Sequence, residues 1–199
     1  STALTGVVGA LYEPLFYMNN LKDDPTKLEP LMGKSYTISD DAKTIDVTIR
    51  DGEKWSDGEP YTAEDVAYTF NLLNSNKALN TGGFAGSAKA LSDTEVRITL
   101  DNSESVNALS YLSGTMIVPK HVWEKIDDPV TYTNKDAVGS GPFTVKGGNF
   151  SPTAYTFKKN PYYWDEGKPE IDGVRYVLIT GGTQASQNAL TDGDVDWMS

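Results

Sequence analysis

The sequence predicts a mixed α and β fold, because strand-like alternation and one clearly marked helix occur in the same stretch of chain. Residues 44–50 and 95–100 alternate apolar with polar side chains, as strands with one buried face do. Between them, apolar residues recur at helical spacing after Thr62, a residue type that caps helices by accepting an N–H bond. Glu64 and Asp65 follow Thr62 directly and suit the positive end of the helix dipole. The apolar positions of this predicted helix are Val66, Ala67, Phe70 and Leu73.

The remaining segments add shorter elements to the predicted fold. The apolar stretch from Leu4 to Phe16 favours a helix that Pro14 ends or bends, and glycine-rich residues 81–86 predict a loop. Residues 139–142 (Gly-Ser-Gly-Pro) break the pattern and form a candidate boundary. Short helices are predicted at about 106–111, from 119 onward and at about 183–190, and strands around Tyr155 and Phe157 and over 174–178.

Composition excludes several classes of function. The chain has 199 residues, of which 38% are apolar, so a packed core is expected in one large domain or two small ones. Its net charge of -11 argues against nucleic acid and against an anionic membrane face, because both need a basic surface. The sequence has no cysteine, which excludes disulfides and thiolate metal sites.

Catalytic chemistry is weakly indicated. His121 is the only histidine of the chain, and a lone histidine is more typical of a surface or a helix start than of a metal site or a triad. Asp57, Glu64 and Asp65 lie close in sequence, but each stands at a turn or a helix start, where local hydrogen bonds explain it. We therefore predict no catalytic residue, no metal and no cofactor. A carboxylate-dependent hydrolase that pairs Asp57 with Glu64 or Asp65 is kept as an alternative.

One long segment resembles a known family. Residues 53–66 (Glu-Lys-Trp-Ser-Asp-Gly-Glu-Pro-Tyr-Thr-Ala-Glu-Asp-Val) resemble the signature of the oligopeptide- and dipeptide-binding proteins of ABC transporters, called solute-binding family 5. Ser140 and Phe143 depart mildly from the family's glycine–proline turn. The other segments that are similar, in the family's order, are 11–15, 117–121, 139–143, 160–164 and 193–196.

The resemblance implies a periplasmic-binding-protein-like fold of type II, in which two lobes joined by a hinge close over a solute. By position, residues 1–16 and 139–199 resemble parts of the first lobe, and residues 17–138 resemble the extra α+β subdomain inserted in it. The second lobe of the family is absent from the sequence. The chain opens with Ser1 in place of Met, and residues 192–197 do not resemble a natural tail, so we expect both ends to be engineered cuts. The family also leads us to expect a lipid anchor upstream of residue 1.

The implied function is the capture of oligopeptides outside the cell for an ABC importer, at a lipid-anchored or periplasmic location. The expected partners are a peptide or another small solute and a membrane permease, without nucleic acid, and the protein is expected to be a monomer. The same fold is also compatible with binding of an oligosaccharide, a nickel complex or another solute, and with a receptor that senses peptides. The positions that match the family's solute contacts are Ser1, Thr2, Gly83, Phe84, Ser113, Gly114, Thr115 and Met116.

Overall fold

The computed structural model describes residues 9–24, 26–103, 105–151 and 153–197 and has the predicted mixture of helices and strands. Its buried apolar side chains form two clusters. The larger cluster includes Trp55, Phe70 and Ile98, and the smaller one includes Leu11 and Phe157. The predicted domain division at residues 16 and 139 stays a prediction.

An antiparallel four-stranded sheet carries the larger cluster. Two short strands, β1 (Phe16–Tyr17) and β2 (Glu29–Pro30), pair with each other beside it. The sheet has the order β3-β4-β6-β5. In β4 and β6 every second residue is buried, which confirms both predicted strands. The four strands are β3 (Gly33–Ile38), β4 (Thr44–Ile49), β5 (Gly86–Ala90) and β6 (Glu95–Leu100).

Helix α1 (Ala63–Ser75) packs against β5 and β6, and Thr62 is its N-cap, as predicted. Its residues Val66 and Phe70 are fully buried in the larger cluster, because they lie on the face turned to the sheet. Two more predicted helices follow, α2 (Ser105–Gly114) and the short α3 (Lys120–Trp123).

A second sheet, with the order β7-β8-β9, lies against the smaller cluster. Its strands are β7 (Phe143–Phe150), β8 (Ala154–Lys159) and β9 (Gly173–Val177), and all neighbours are antiparallel. Helix α4 (Gly182–Thr191) follows and confirms the predicted C-terminal helix. Within the described ranges, no helix is both long and apolar enough to span a membrane.

The helix predicted for Leu4 to Phe16 is wrong over its described part. Residues 9–15 form a turn and irregular chain that enter β1, and residues 1–8 lie outside the described residues. The carbonyl oxygen of Ala10 accepts the Phe143 N–H and that of Leu11 accepts the Gly141 N–H, each at 2.9 Å. These hydrogen bonds to a distant part of the chain take the place of the bonds that a helix would make within the segment.

Candidate functional site

The first candidate segment is the glycine-rich loop after α1. Residues 81–83 are exposed, and Gly83 has a positive φ of 70°, a conformation that favours glycine. Phe84 has only 3% of its surface exposed. Its ring lies 4.9 Å from that of Phe70 and 5.4 Å from that of Tyr111, so Phe84 anchors the loop to the larger cluster.

Asn80 closes this loop with its side-chain amide. Its Nδ2 donates to the carbonyl oxygen of Phe84 at 2.7 Å, and its Oδ1 accepts the Phe84 N–H at 2.8 Å. The hydroxyl of Tyr111 donates to the carbonyl oxygen of Gly83 at 3.4 Å. Sequence reasoning missed Asn80 and Tyr111, although an asparagine four residues before a buried aromatic residue could have indicated a closed loop.

The second candidate segment, residues 113–116, begins in the last turn of α2. Ser113 uses its hydroxyl within the helix, donating to the carbonyl oxygen of Leu109 at 2.8 Å. Gly114 is exposed, and a Cβ built on it meets nothing within 4 Å. The Thr115 N–H donates to the Tyr111 carbonyl oxygen at 3.3 Å, and Met116 is half-buried against the smaller cluster.

Tyr111 therefore contacts both candidate segments. Its hydroxyl and ring contact Gly83 and Phe84, and its carbonyl oxygen holds Thr115. The structure thus connects three of the eight predicted positions, Gly83, Phe84 and Thr115, through one tyrosine. Ser113, Gly114 and Met116 neighbour Thr115 in the chain. The other two, Ser1 and Thr2, lie outside the described residues.

Beside these segments, Glu13 bonds through its buried carboxylate and its main chain to three other stretches that carry the family resemblance. The Tyr163 hydroxyl donates to its Oε1 and the Trp164 Nε1–H to its Oε2, both at 2.8 Å. The Glu13 carbonyl oxygen accepts the Ile117 N–H at 3.4 Å, and the Glu13 N–H donates to the Ser140 hydroxyl at 3.3 Å. Burial raises the pKa of Glu13 above its usual value, although the Trp164 and Tyr163 hydrogen bonds oppose that rise.

A second buried carboxylate, that of Asp65, organises the start of α1. Its Oδ2 accepts the Thr62 N–H at 2.9 Å and the Trp55 indole N–H at 3.2 Å. Its Oδ1 accepts the Lys120 N–H at 2.8 Å and so fixes the start of α3. One turn further along α1, the Thr69 hydroxyl accepts the N–H of residue 118 at 3.1 Å. The chain that leads into α3 is thereby held in place by α1.

The segments held by Glu13 and Asp65 form one junction, and two close approaches of main chain complete it. Ser56 and Gly139 exchange two hydrogen bonds, at 3.0 Å between main chains and at 3.2 Å from the Gly139 N–H to the Ser56 hydroxyl. A Cβ at Gly139 would lie 1.8 Å from the Leu11 carbonyl oxygen, so only glycine fits there. Asn160 donates to the Gly141 carbonyl oxygen at 2.9 Å. Five of the six segments similar to the family therefore meet at one place.

The two exposed carboxylates of the hydrolase hypothesis are paired with cationic or titratable side chains. Asp57 Oδ2 lies 2.9 Å from His121 Nε2, and Glu64 Oε2 lies 2.6 Å from Lys120 Nζ. His121 is the second residue of α3, as the predicted helix start requires. Within the part of the chain that the structure describes, no group of three metal-ligating side chains occurs.

Comparison with known proteins identifies the family. The sequence model described as bacterial extracellular solute-binding proteins, family 5 Middle, matches residues 27–199. The chain is 28% identical to the oligopeptide-binding protein OppA of Bacillus subtilis, over 96% of this chain and 38% of OppA. It spans about a third of the length of the curated relatives it matches first, at 32%, 38% and 34%.

Solved structures agree with this match. The substrate-binding protein CtaP of Listeria monocytogenes has a TM-score of 0.82 and 29% identity, over 98% of this chain and 39% of CtaP. A mannohexaose-bound oligopeptide-binding protein of Thermotoga maritima has the same TM-score of 0.82 at 26% identity, over 96% of this chain and 36% of its own. These matches confirm the predicted fold, a mixed α and β fold of the type II periplasmic-binding-protein class. The chain belongs to the bacterial extracellular solute-binding proteins of family 5.

Proposed function

We propose that this protein captures oligopeptides outside the cytoplasmic membrane and delivers them to an ABC permease, as a monomer and without chemical conversion. The observation that carries the proposal is the family match over residues 27–199, together with the similarity to OppA over 96% of the chain. A lipid-anchored or periplasmic location belongs to the same proposal.

The geometry supports binding rather than catalysis. A general acid or base needs a carboxyl group that can reach a substrate and exchange a proton with it. Glu13 and Asp65 are buried, 5% and 4% exposed, and their oxygens accept hydrogen bonds from the protein itself. Both carboxylates therefore support the fold, and neither is placed for acid–base work.

The two segments attached to Tyr111 are our proposed solute-contacting surface on this part of the protein. Residues 81–83 and Gly114 combine exposure with few side-chain atoms, so a solute can approach their main chain closely. An extended peptide suits such a surface, because its backbone offers donors and acceptors in a regular order. The inward side chains of Phe84 and Met116 then serve as anchors of the surface.

A second candidate solute is an oligosaccharide. The Thermotoga maritima relative is named an oligopeptide-binding protein, and its crystal structure has mannohexaose bound. At 26% identity over 96% of the chain, this relative is similar in sequence as well as in fold. Its bound sugar therefore favours an oligosaccharide as the second candidate.

A thermal-shift comparison at the protein's natural length separates the two candidates. We expect a pool of tetrapeptides to raise the melting temperature and mannohexaose to leave it unchanged, since only a bound solute stabilises the folded state. A rise with mannohexaose and none with peptides would contradict the peptide proposal. Turnover of the peptides during the incubation would contradict the whole function.

A pair of variants tests the placement of the surface. Gly114→Phe puts a ring into open space on the candidate segment, and Thr99→Phe puts the same ring on the exposed face of β6. We expect the first variant to weaken peptide affinity at least about tenfold and the second to stay within about twofold of the wild type. Equal affinities in both variants would show that solute binds elsewhere.

A further inference from the structure

Two buried polar atoms near the end of α3 have no hydrogen-bond partner within the described part of the chain. They are the indole Nε1 of Trp123, which is a donor, and the amide Oδ1 of Asn134, which is an acceptor. Trp123 is 8% exposed and Asn134 is 5% exposed, so bulk water does not serve these two atoms. A buried donor or acceptor without a partner lowers stability, and native proteins rarely leave such groups unpaired.

The buried side chain of Tyr12 places these two atoms in one cluster. Its hydroxyl oxygen accepts the Asn134 Nδ2–H at 2.9 Å. Burial raises the pKa of Tyr12 to about 12, although the Asn134 amide and the Trp123 indole oppose that rise. The ring of Trp123 meets that of Tyr132 edge-on, with centroids 5.4 Å apart, and Tyr132 is two residues before Asn134. The Trp123 indole and the Asn134 amide therefore both lie beside the Tyr12 hydroxyl.

The hydrogen-bonding groups of this cluster are complementary. The raised pKa keeps the Tyr12 hydroxyl protonated at neutral pH, and the described residues give its hydrogen no acceptor. The cluster thus offers two donors, the Tyr12 O–H and the Trp123 N–H, and one acceptor, Asn134 Oδ1. A water molecule is able to accept two hydrogen bonds and to donate two, so one water satisfies all three groups.

We propose that an internal water molecule binds among Tyr12, Trp123 and Asn134, where it accepts the Tyr12 O–H and the Trp123 indole N–H and donates to Asn134 Oδ1. Internal waters typically make about three hydrogen bonds, to buried polar groups that the protein leaves unpaired. This water joins the chain before β1 and the last residue of α3 to the fully described connection at 124–142, which has no helix or strand of its own. The inference does not depend on which solute the protein binds.

A crystal structure of the natural-length protein, at a resolution that shows ordered water, tests the site directly. We expect a water oxygen within hydrogen-bonding distance, about 2.7–3.2 Å, of Tyr12 Oη, Trp123 Nε1 and Asn134 Oδ1. A water that bridges the Trp123 and Asn134 atoms supports the inference. A direct hydrogen bond between these two atoms, a water on only one of them, or no water on either overturns it.

Nuclear magnetic resonance of the same protein with 15N-labelled tryptophan tests the site in solution. The Trp123 indole hydrogen should show a cross-relaxation peak to bound water, and Trp123→Phe assigns that peak. Asn134→Gly removes the acceptor while allowing the positive φ of 48°, so the peak should disappear. Tyr132→Phe removes a half-buried hydroxyl of the same cluster and should leave the peak unchanged. A peak that persists in Asn134→Gly comes from exchange of the Tyr12 hydroxyl hydrogen and overturns the inference, as does its absence from the wild type.

Discussion

The two buried carboxylates of the junction differ in what their partners are able to do. The three groups that donate to Asp65 are one indole N–H and two main-chain N–H groups, and none of them is able to accept a hydrogen bond. Glu13 has one such partner, the Trp164 indole, and one hydroxyl partner, Tyr163, which is able to reverse its role. Burial is similar in both, so the chemistry of the partners decides how replaceable each carboxylate is.

The largest effect is expected for Asp65→Asn. An asparagine amide has one acceptor oxygen, and its NH2 group must face at least one of the three N–H donors. A buried donor then loses its acceptor, which costs about 2–3 kcal/mol of unfolding free energy. Urea unfolding of the wild type and the variant measures this loss. A loss below about 1 kcal/mol would show that the site relaxes around the amide and that the comparison is wrong.

Glu13→Gln is the matched substitution and should cost much less. The glutamine NH2 is able to donate to the Tyr163 oxygen while its carbonyl oxygen accepts the Trp164 N–H, so both hydrogen bonds remain. We expect a loss of about 0.5–1 kcal/mol at neutral pH. Tyr163→Phe removes the hydroxyl that is able to switch from donor to acceptor. In a Tyr163→Phe background, Glu13→Gln therefore leaves the glutamine NH2 group unpaired, and it should lower the unfolding free energy more than it does in the wild type. Equal costs in the two backgrounds would contradict the role assigned to Tyr163.

The raised pKa of Glu13 also makes the stability of the protein depend on pH. Its pKa is raised above the usual 4.5 by burial, with Trp164 and Tyr163 opposing the rise and the nearby charges of Asp165 and Arg50 acting in opposite directions. The folded state therefore binds the proton more tightly, so wild-type stability falls as pH rises from 4.5 through the raised pKa. The glutamine side chain of the Glu13→Gln variant does not titrate.

We therefore expect the stability advantage of the wild type over Glu13→Gln to be largest in acid and to shrink towards neutral pH. Both proteins keep Asp65, so its own titration cancels in the difference. Denaturant titrations of the two proteins between about pH 4 and pH 8 measure this difference. An advantage that grows with pH would mean that the hydrogen bonds outweigh burial, and that Glu13 behaves as a stabilised anion.

The smallest effect is expected at the exposed side of α3, where a surface ion pair lies next to Asp65. Lys120 Nζ and Glu64 Oε2 are 2.6 Å apart, but their side chains are 39% and 61% exposed. Water screens such a pair, so Glu64→Gln should change the unfolding free energy by less than about 0.5 kcal/mol. A change comparable to that of Asp65→Asn would show that the surface pair, rather than the buried carboxylate, fixes α3.

The sequence predicts elements whose pattern is local and misses those that other parts of the chain impose. Strands β4 and β6 and helix α1 follow from periodicity and capping alone. Strand β5 (Gly-Ser-Ala-Lys-Ala) has no β-branched or aromatic residue, and it becomes a strand because β6 and α1 enclose it. The segment before β1 has helical spacing, but the carbonyl groups of Ala10 and Leu11 accept hydrogen bonds from β7 and the turn before it.

The candidate site also divides into residues that a local pattern predicts and residues that only long-range contacts place. Glycine content and the family resemblance indicate residues 83–84 and 113–116, but they give no sign that Asn80 and Tyr111 hold these segments. The local pattern predicts that Asp65 serves a helix start, and it does so. Glu13 meets its aromatic partners across 150 and 151 residues of chain, a separation that no local pattern encodes.

The central claim, passive capture of a peptide, is tested most directly by native mass spectrometry of the natural-length protein purified from its own host. Passive capture predicts a population carrying a noncovalent adduct whose mass matches an oligopeptide, and the same peptide should be recovered intact after prolonged incubation. A bound sugar in place of a peptide would contradict the peptide assignment, and shortening of the bound peptide with time would contradict capture without chemistry.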